Sequence, residues 1–473
     1  MLGESMGRSV SLPLALALLT TVAGCGGKGA DDAPPAADDA ATDTSPALDT
    51  GSVVVDSGAP RDSAPTPPRD SGPSDTGPEV DRGGPSDVYP AFKGALPQLS
   101  NNGGYVMKSP TVITVTWPGD KNVDRFEAFG DTIGATDYWK AITSEYGVAP
   151  AVSGAPNHMR ITDPAPASLS NTDVDAFVAA QIGDLAKSKW PAPKDDSLYV
   201  LYLSSATRLQ YRGTDACSII GGYHTSTSTA LGDVSYAVIP YCRGFSGDYF
   251  ESMTAAASHE LGEAATDPQP GVRPGYVGFD GQHLAWELFQ DFLVENGDSC
   301  TIYDDAFFTT SESTFSYKVQ RQWSNLAAAG THDPCVPAAS SAPYFTVVPQ
   351  ALEAVTVDMS SYGGSNRTRS KGYTIAVGET RRIEVGLVSD GPMSAWTIDV
   401  AEGNPIPGYG YGVETGNLTA SVLGRNTGQN GEKVTIEVKV NSRGKIKGEL
   451  VTVISSDASG VHTHFAPILI GTP

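Results

Sequence analysis

In the stretch Ser258-His259-Glu260-Leu261-Gly262-Glu263, a histidine and a glutamate stand four residues apart, with a second glutamate directly after the histidine. Residues i and i+4 of an α-helix lie one above the other, so His259 and Glu263 would present an imidazole and a carboxylate to one point. Glu260 falls on the adjoining flank. This is the spacing of the His-Glu-x-x-His zinc helix, where two ligands hold the ion and the intervening Glu takes a proton from water. Here the second ligand position is a glutamate, itself a competent zinc ligand. A further ligand must come from outside this turn: Asp298 or Glu295 in Glu295-Asn296-Gly297-Asp298-Ser299-Cys300, or Asp267 beside Pro268. One imidazole and two carboxylates make a formally neutral zinc site, which polarises water less than a three-histidine site does. Zinc is the expected cofactor, with Ca2+ or Mn2+ as competitors once carboxylates replace imidazole.

The ordinary alternative is a solvated i, i+4 polar pair. Against it, the helix is otherwise filled with Ala and Gly, which suits a buried element, and buried acids need partners. His224 follows Gly221-Gly222-Tyr223 and reads as a loop histidine, with oxyanion stabilisation as its candidate role. His158, His283 and His332 have no supporting context and read as surface residues.

The elements that must position these groups follow from periodicity. The motif helix begins in the small-residue run Met253 to Ala257, and Pro268 cannot continue it. Thr111 to Trp117 is strand-like, Asp124 to Tyr146 helical, and Asn171 to Trp190 helical with a start signal in Asn-Thr-Asp. Ser197 to Leu203 and Val234 to Tyr241 read as buried strands. Such alternation predicts an α/β layer structure over residues 89–337, a mixed sheet beside the metal-bearing helix.

Upstream, Arg8 precedes an apolar run from Val10 to Val22 that ends in Ala23-Gly24-Cys25. The run is too short to span a membrane and reads as a lipoprotein signal over 1–25, with Cys25 the lipidated first residue of the mature chain. Gly26 follows, without the Asp that commonly retains such proteins at an inner membrane, so the outer membrane or cell surface is the expected location. Residues 26–88 contain thirteen acids, four bases and no aromatic residue. Such a segment cannot bury enough apolar surface to fold and reads as a solvated tether stiffened by proline. The formal net charge of the chain is −23, and the folded part is acidic too, which argues against nucleic acid as a partner.

Besides Cys25 there are four cysteines, an even number in an exported chain, which implies two disulfides. Three pairings are open. Cys217–Cys242 with Cys300–Cys335 is favoured because each closes a short loop flanking the motif helix.

Five segments occur in a characteristic order: Gly221-Gly222-Tyr223-His224, Tyr236-Ala237-Val238-Ile239-Pro240, Ser258 to Pro268, Glu295 to Cys300, and Val319-Gln320-Arg321-Gln322-Trp323-Ser324-Asn325. In these the chain resembles an exported bacterial family of zincin-like His-Glu-x-x-Glu proteins, distantly similar to plant phosphate-induced (exordium-like) proteins. The resemblance covers roughly Gly103 to Pro337, and Thr266-Asp267-Pro268 is its most specific element. Family members more often carry Ile or Val where Asn296 stands. The resemblance implies a zincin-like fold and a metal site far more than it implies a substrate.

After Pro337 the pattern changes to short alternating β-branched runs: Tyr344 to Val348, Tyr373 to Val377, Arg382 to Val388, Trp396 to Val400, Val434 to Val440 and Leu450 to Ser455. These predict an all-β, immunoglobulin-like sandwich over 338–473 serving as a spacer or accessory domain. His462 and His464 would share one face of a strand there, without a third ligand. Two functions follow. One is a surface-tethered zinc peptidase acting on extracellular protein, with Glu260 as general base. The other is a non-catalytic surface binding protein whose metal is structural or whose helix is a buried polar face.

Overall fold

Along Ser197–Tyr202 the side chains of Leu198, Val200 and Tyr202 join one apolar cluster, while Tyr199 and Leu201 join another. A strand sends successive side chains to opposite faces, so this segment must lie in the middle of three layers. A computed structural model describes residues 83–473 apart from 95, 245, 291–293, 363 and 407–415. The signal segment 1–25 with Cys25, and tether residues 26–82, lie outside the described residues.

The central sheet is built from β1 (Thr111–Thr116), β2 (His158–Arg160), β3 (Ser197–Tyr202), β4 (Tyr223–Thr229) and β5 (Gly232–Ile239). Its order is β2-β1-β3-β5-β4. The first four are parallel neighbours, and β4 closes the edge antiparallel to β5. Helix α3 (Asn171–Gly183) covers one face with Val174, Val178 and Ile182. The other face carries α1 (Val123–Ile133), α2 (Asp137–Thr143) and the motif helix α4 (Tyr249–Thr266).

Two expected elements are corrected. The single helix over Asp124 to Tyr146 is broken after Ile133, because Thr136 turns its hydroxyl to Trp139 N and starts α2 afresh. Gly134 at the break approaches the Ala151 carbonyl so closely that a Cβ would stand 2.2 Å from it. The strand expected over Tyr373 to Val377 instead runs Thr368–Thr374. Its N-terminal half, Thr368–Gly372, pairs with the unexpected strand Glu353–Val357.

The C-terminal part has two stacked sheets. One runs Phe345–Pro349, Thr380–Ser389, Lys433–Val440, Leu418–Leu423, antiparallel throughout. The other runs Glu353–Val357, Thr368–Thr374, Thr463–Gly471, Gly448–Ser456, Trp396–Glu402, Thr427–Gly428, with Thr368–Thr374 and Thr463–Gly471 parallel. Val385, Leu387, Trp396, Ile436, Val453 and Ile468 fill the space between them.

The outer face of the second sheet packs on the α/β layers. Leu450, Phe465 and Leu469 belong to the same apolar cluster as α4, and Phe465 stacks 5.5 Å from Phe289 of the helix α5 (Leu284–Phe289). Residues 83–88 sit on the sandwich as well, since Gly83 bridges Glu432 and Ser86 N donates to Asn430 O. The expected tether boundary at 88 falls inside this contact. No helix among the described residues is long and apolar enough to cross a membrane.

Both disulfides join the favoured pairs, Cys217–Cys242 and Cys300–Cys335, with Cα atoms 5.3 and 5.7 Å apart. They close loops of 25 and 35 residues, worth about 3–4 kcal/mol each in the chain-entropy account.

Candidate metal centre

Helix α4 starts where the Asp248 carboxylate accepts from Glu251 N and ends at Thr266, whose successor Asp267 returns its N–H to Glu263 O. From Phe250 to Thr266 every residue except Glu251 and His259 is buried. A helix enclosed on all sides needs small residues where neighbours press closest. At Gly262 a Cβ would stand 2.0 Å from the Gln322 side chain. That space lets Gln322 Nε2 donate to the Ser258 carbonyl at 2.8 Å while its Oε1 accepts from Asn296 Nδ2 at 3.0 Å. Asn296 is fully buried, and this partner accounts for a polar residue at a position where the resembled family favours Ile or Val.

His259 and Glu263 meet as the helical spacing requires, Nε2 to Oε1 at 3.1 Å. Glu260 Oε1 lies further from the same nitrogen, at 4.0 Å. Asp298 comes from a turn held by the Cys300 disulfide, and its Oδ1 is 3.7 Å from His259 Nε2. Ligands at 2.0–2.1 Å from a tetrahedral zinc stand about 3.3 Å apart, so the distances to Glu263 and Asp298 bracket that value.

His224 is the main correction. It lies on β4, paired with Ala237 of β5, with its side chain only 6% exposed. Its Nδ1 is 3.3 Å from Glu260 Oε2 and 3.5 Å from Glu263 Oε2, and its Nε2 is 3.3 Å from Glu295 Oε2. The polar run His-Thr-Ser-Thr-Ser-Thr has no apolar alternation to mark a strand, and edge pairing with β5 alone makes it one. Gly222 just before it leaves room for Glu260, since a Cβ there would be 2.7 Å from Oε1.

The candidates therefore divide. Asp298 faces His259, Glu295 faces His224, and Asp267 is buried with Oδ1 accepting from Gly275 N at 2.9 Å. Asp267 Oδ2 and Glu295 Oε2 are buried without a hydrogen-bond partner. Among the described residues, the ion pairs of Glu260, Glu263, Glu295 and Asp298 are all with these two histidines. One ligand atom from each of His259, Glu260 and Glu263 lies within 4.8 Å of the others, and the same holds for His224, Glu263 and Glu295. Either group could hold a divalent ion.

The electrostatics follow from this crowding. Burial alone would lower both histidines, but Glu295, Glu260 and Glu263 around His224 hold it well above the ordinary value. Glu263, Glu260 and Asp298 do the same for His259. Burial lifts Glu263, and His259 and His224 outweigh it to hold that carboxyl below the usual range. Burial dominates at Glu295 and Asp267, which are raised. Asp298 is raised too by its crowded surroundings and the nearby Glu263 carboxylate, less than a fully enclosed acid would be because its side chain is 46% exposed.

Sequence reasoning missed the supporting groups. Gln320, on β6 (Lys318–Gln320), accepts the His259 Nδ1 hydrogen at 2.9 Å and donates to the Gly297 carbonyl at 2.6 Å. The Val319-to-Asn325 segment contained that signal without assigning it a role. His158, expected at the surface without partners, is half-buried and bonds Asp131 at 2.9 Å.

No family model matches the chain, and no curated protein matches it. Among solved structures it is similar to the ASH / PapD-like domain of human CEP192 (PapD-like domain 7), at 15% identity over 21% of this chain and 75% of that one. The TM-score of 0.14 carries no argument about fold or site.

Proposed function

We propose that the chain is an exported, lipid-anchored metal-dependent hydrolase, a zinc peptidase acting on extracellular protein, in which a zincin-like α/β part carries the site and an immunoglobulin-like sandwich supports it. The single observation behind this reading is the His259–Glu263 pair at 3.1 Å with Glu260 on the same buried face. His259, Glu263 and Asp298 would hold the ion. The donor set suits it, because Gln320 occupies one nitrogen of His259 and leaves the other facing carboxylates, as metal-bound histidines are commonly arranged. A divalent ion held there supplies Lewis acidity toward a carbonyl and toward water.

Glu260 is the proton acceptor. At 4.0 Å from His259 Nε2 its Oε1 stands further back than Glu263 Oε1 at 3.1 Å, so it can face a water bound at the ion instead of ligating. Burial raises its pKa against the pull of His259 and His224, which makes the carboxylate a stronger base than an exposed one.

Burial also favours a second reading, a structural metal in a non-catalytic surface protein. The side chains of His224, Glu260 and Glu263 are 4–6% exposed, and the ion-facing groups that reach solvent are Asp298 at 46% and His259 at 15%. Glu260→Gln separates the two. On the hydrolase reading this variant keeps its metal and loses peptidase activity on a mixed protein substrate by about 100-fold or more. Loss of metal as complete as in His259→Ala makes Glu260 a ligand and removes the hydrolytic reading.

A further inference from the structure

Glu263 faces two ways. Its Oε1 is 3.1 Å from His259 Nε2, and its Oε2 is 3.5 Å from His224 Nδ1. Resting on the hydrolase reading, we propose that the site holds two divalent cations, with the Glu263 carboxylate shared between them. Oε1 serves one ion together with His259 and Asp298, and Oε2 serves the other together with His224 and Glu295.

Three observations carry this. First, both histidines have an outer partner within hydrogen-bond reach and carboxylates around them. His259 donates Nδ1–H to Gln320 Oε1 at 2.9 Å, and His224 Nε2 lies 3.1 Å from the Asp267 carbonyl. His259 is held by a neutral acceptor at Nδ1 and turned to carboxylates at Nε2, the outer support that fixes a metal-ligating imidazole, whereas His224 has Glu260 and Glu263 at Nδ1 and Glu295 beside the Asp267 carbonyl at Nε2.

Second, Glu295 is 7% exposed, and its Oε2 has no hydrogen bond although it lies 3.3 Å from His224 Nε2. A buried carboxylate oxygen without a hydrogen-bond donor is costly. A cation beside His224 would satisfy it.

Third, the acids outnumber the bases around them. Glu260, Glu263, Glu295, Asp267 and Asp298 converge on two imidazoles, and among the described residues no Lys or Arg pairs with any of the five. A bridging carboxylate also matches the roughly 3.5–4 Å separation of ions in two-metal sites.

The test is zinc stoichiometry on the purified full chain, by equilibrium dialysis with elemental analysis. Wild type should bind two zinc ions. His224→Ala, Glu295→Gln and His259→Ala should each bind one, and Glu263→Ala none. Saturation of wild type at one ion, or an unchanged count in Glu295→Gln, overturns the second site while leaving the hydrolase reading in place. No bound zinc in wild type removes both. Electron paramagnetic resonance of manganese-loaded wild type supplies a readout that needs no variant. An exchange-coupled signal is expected, and the six-line signal of isolated ions alone overturns the proposal.

Discussion

The side-chain oxygen of Gln320 lies 2.9 Å from Nδ1 of His259, reaching it from a strand 61 residues further along the chain. The same glutamine takes its main-chain N–H to Ser258 Oγ at 2.9 Å, so β6 is docked on the helix one residue before the histidine. This contact fixes which nitrogen of His259 carries hydrogen and where the other points.

Gln320→Leu should therefore lower zinc affinity about 10–100-fold, the usual loss when the outer partner of a metal histidine is removed. Gln320→Glu keeps the acceptor but turns an oxygen on the Gly297 carbonyl that Nε2 now reaches at 2.6 Å, and should lose affinity as well. Competition with a chromophoric chelator measures both. Equal affinity in wild type and Gln320→Leu would show that the hydrogen bond plays no part in ligation.

Gly297 is needed for proximity. Its φ of −74° suits any residue, yet a Cβ would stand 2.7 Å from Glu263 Oε1 and 2.8 Å from His259 Nδ1. Gly297→Ala should push away the Asp298 turn, whose N–H donates to Glu263 Oε1 at 3.1 Å. We expect at least a tenfold loss of zinc affinity for about 1–3 kcal/mol of stability. Isothermal titration beside a denaturant melt reads the two quantities, and a variant with native affinity would contradict this account of the glycine.

His464 gives a pH dependence independent of the metal. It lies against Tyr303, Tyr344 and Phe345, with ring centroids 5.3, 4.7 and 4.9 Å away, and its Nδ1 is buried without a hydrogen-bond partner. Burial, with help from His462 and against Asp457, pushes its pKa from 6.5 down to about 3. The unfolded chain takes up this proton near pH 6.5 and the folded chain only near 3, so stability is unaffected above that window and falls as pH drops through it. The slope is at most ~1.4 kcal/mol per pH unit. His464→Phe should narrow the difference between urea midpoints measured at pH 7 and pH 4.5. Identical differences in the two proteins would refute the assignment.

Cys25 lies outside the described residues, and the anchor is tested directly. The protein expressed in a bacterial host with lipoprotein processing should partition into detergent and carry acyl chains on Cys25, and Cys25→Ser should remain aqueous. Wild-type protein found intact in the aqueous phase would count against lipidation.

What the sequence determined by itself is what local geometry imposes. An i, i+4 spacing on a helix brings His259 to Glu263 whatever surrounds it, and Pro268 ends that helix in any context. Alternation along Ser197–Tyr202 assigns alternate residues to opposite faces before any partner strand is known. The short loops flanking the motif helix favoured the disulfide pairing that the structure contains. Tertiary structure decided what depends on contacts distant in sequence. The register of β4 on β5 carries His224 to within 3.3 Å of Glu260, 36 residues away, and nothing periodic in a Thr/Ser run specifies an edge strand. Gln320 meets His259 only because β6 packs on α4. Asn296 is tolerated in the interior only because Gln322 and Thr266 reach it. Hydrogen bonds of this kind have no period along the chain. They exist once the core has closed and brought donor and acceptor within reach of one another.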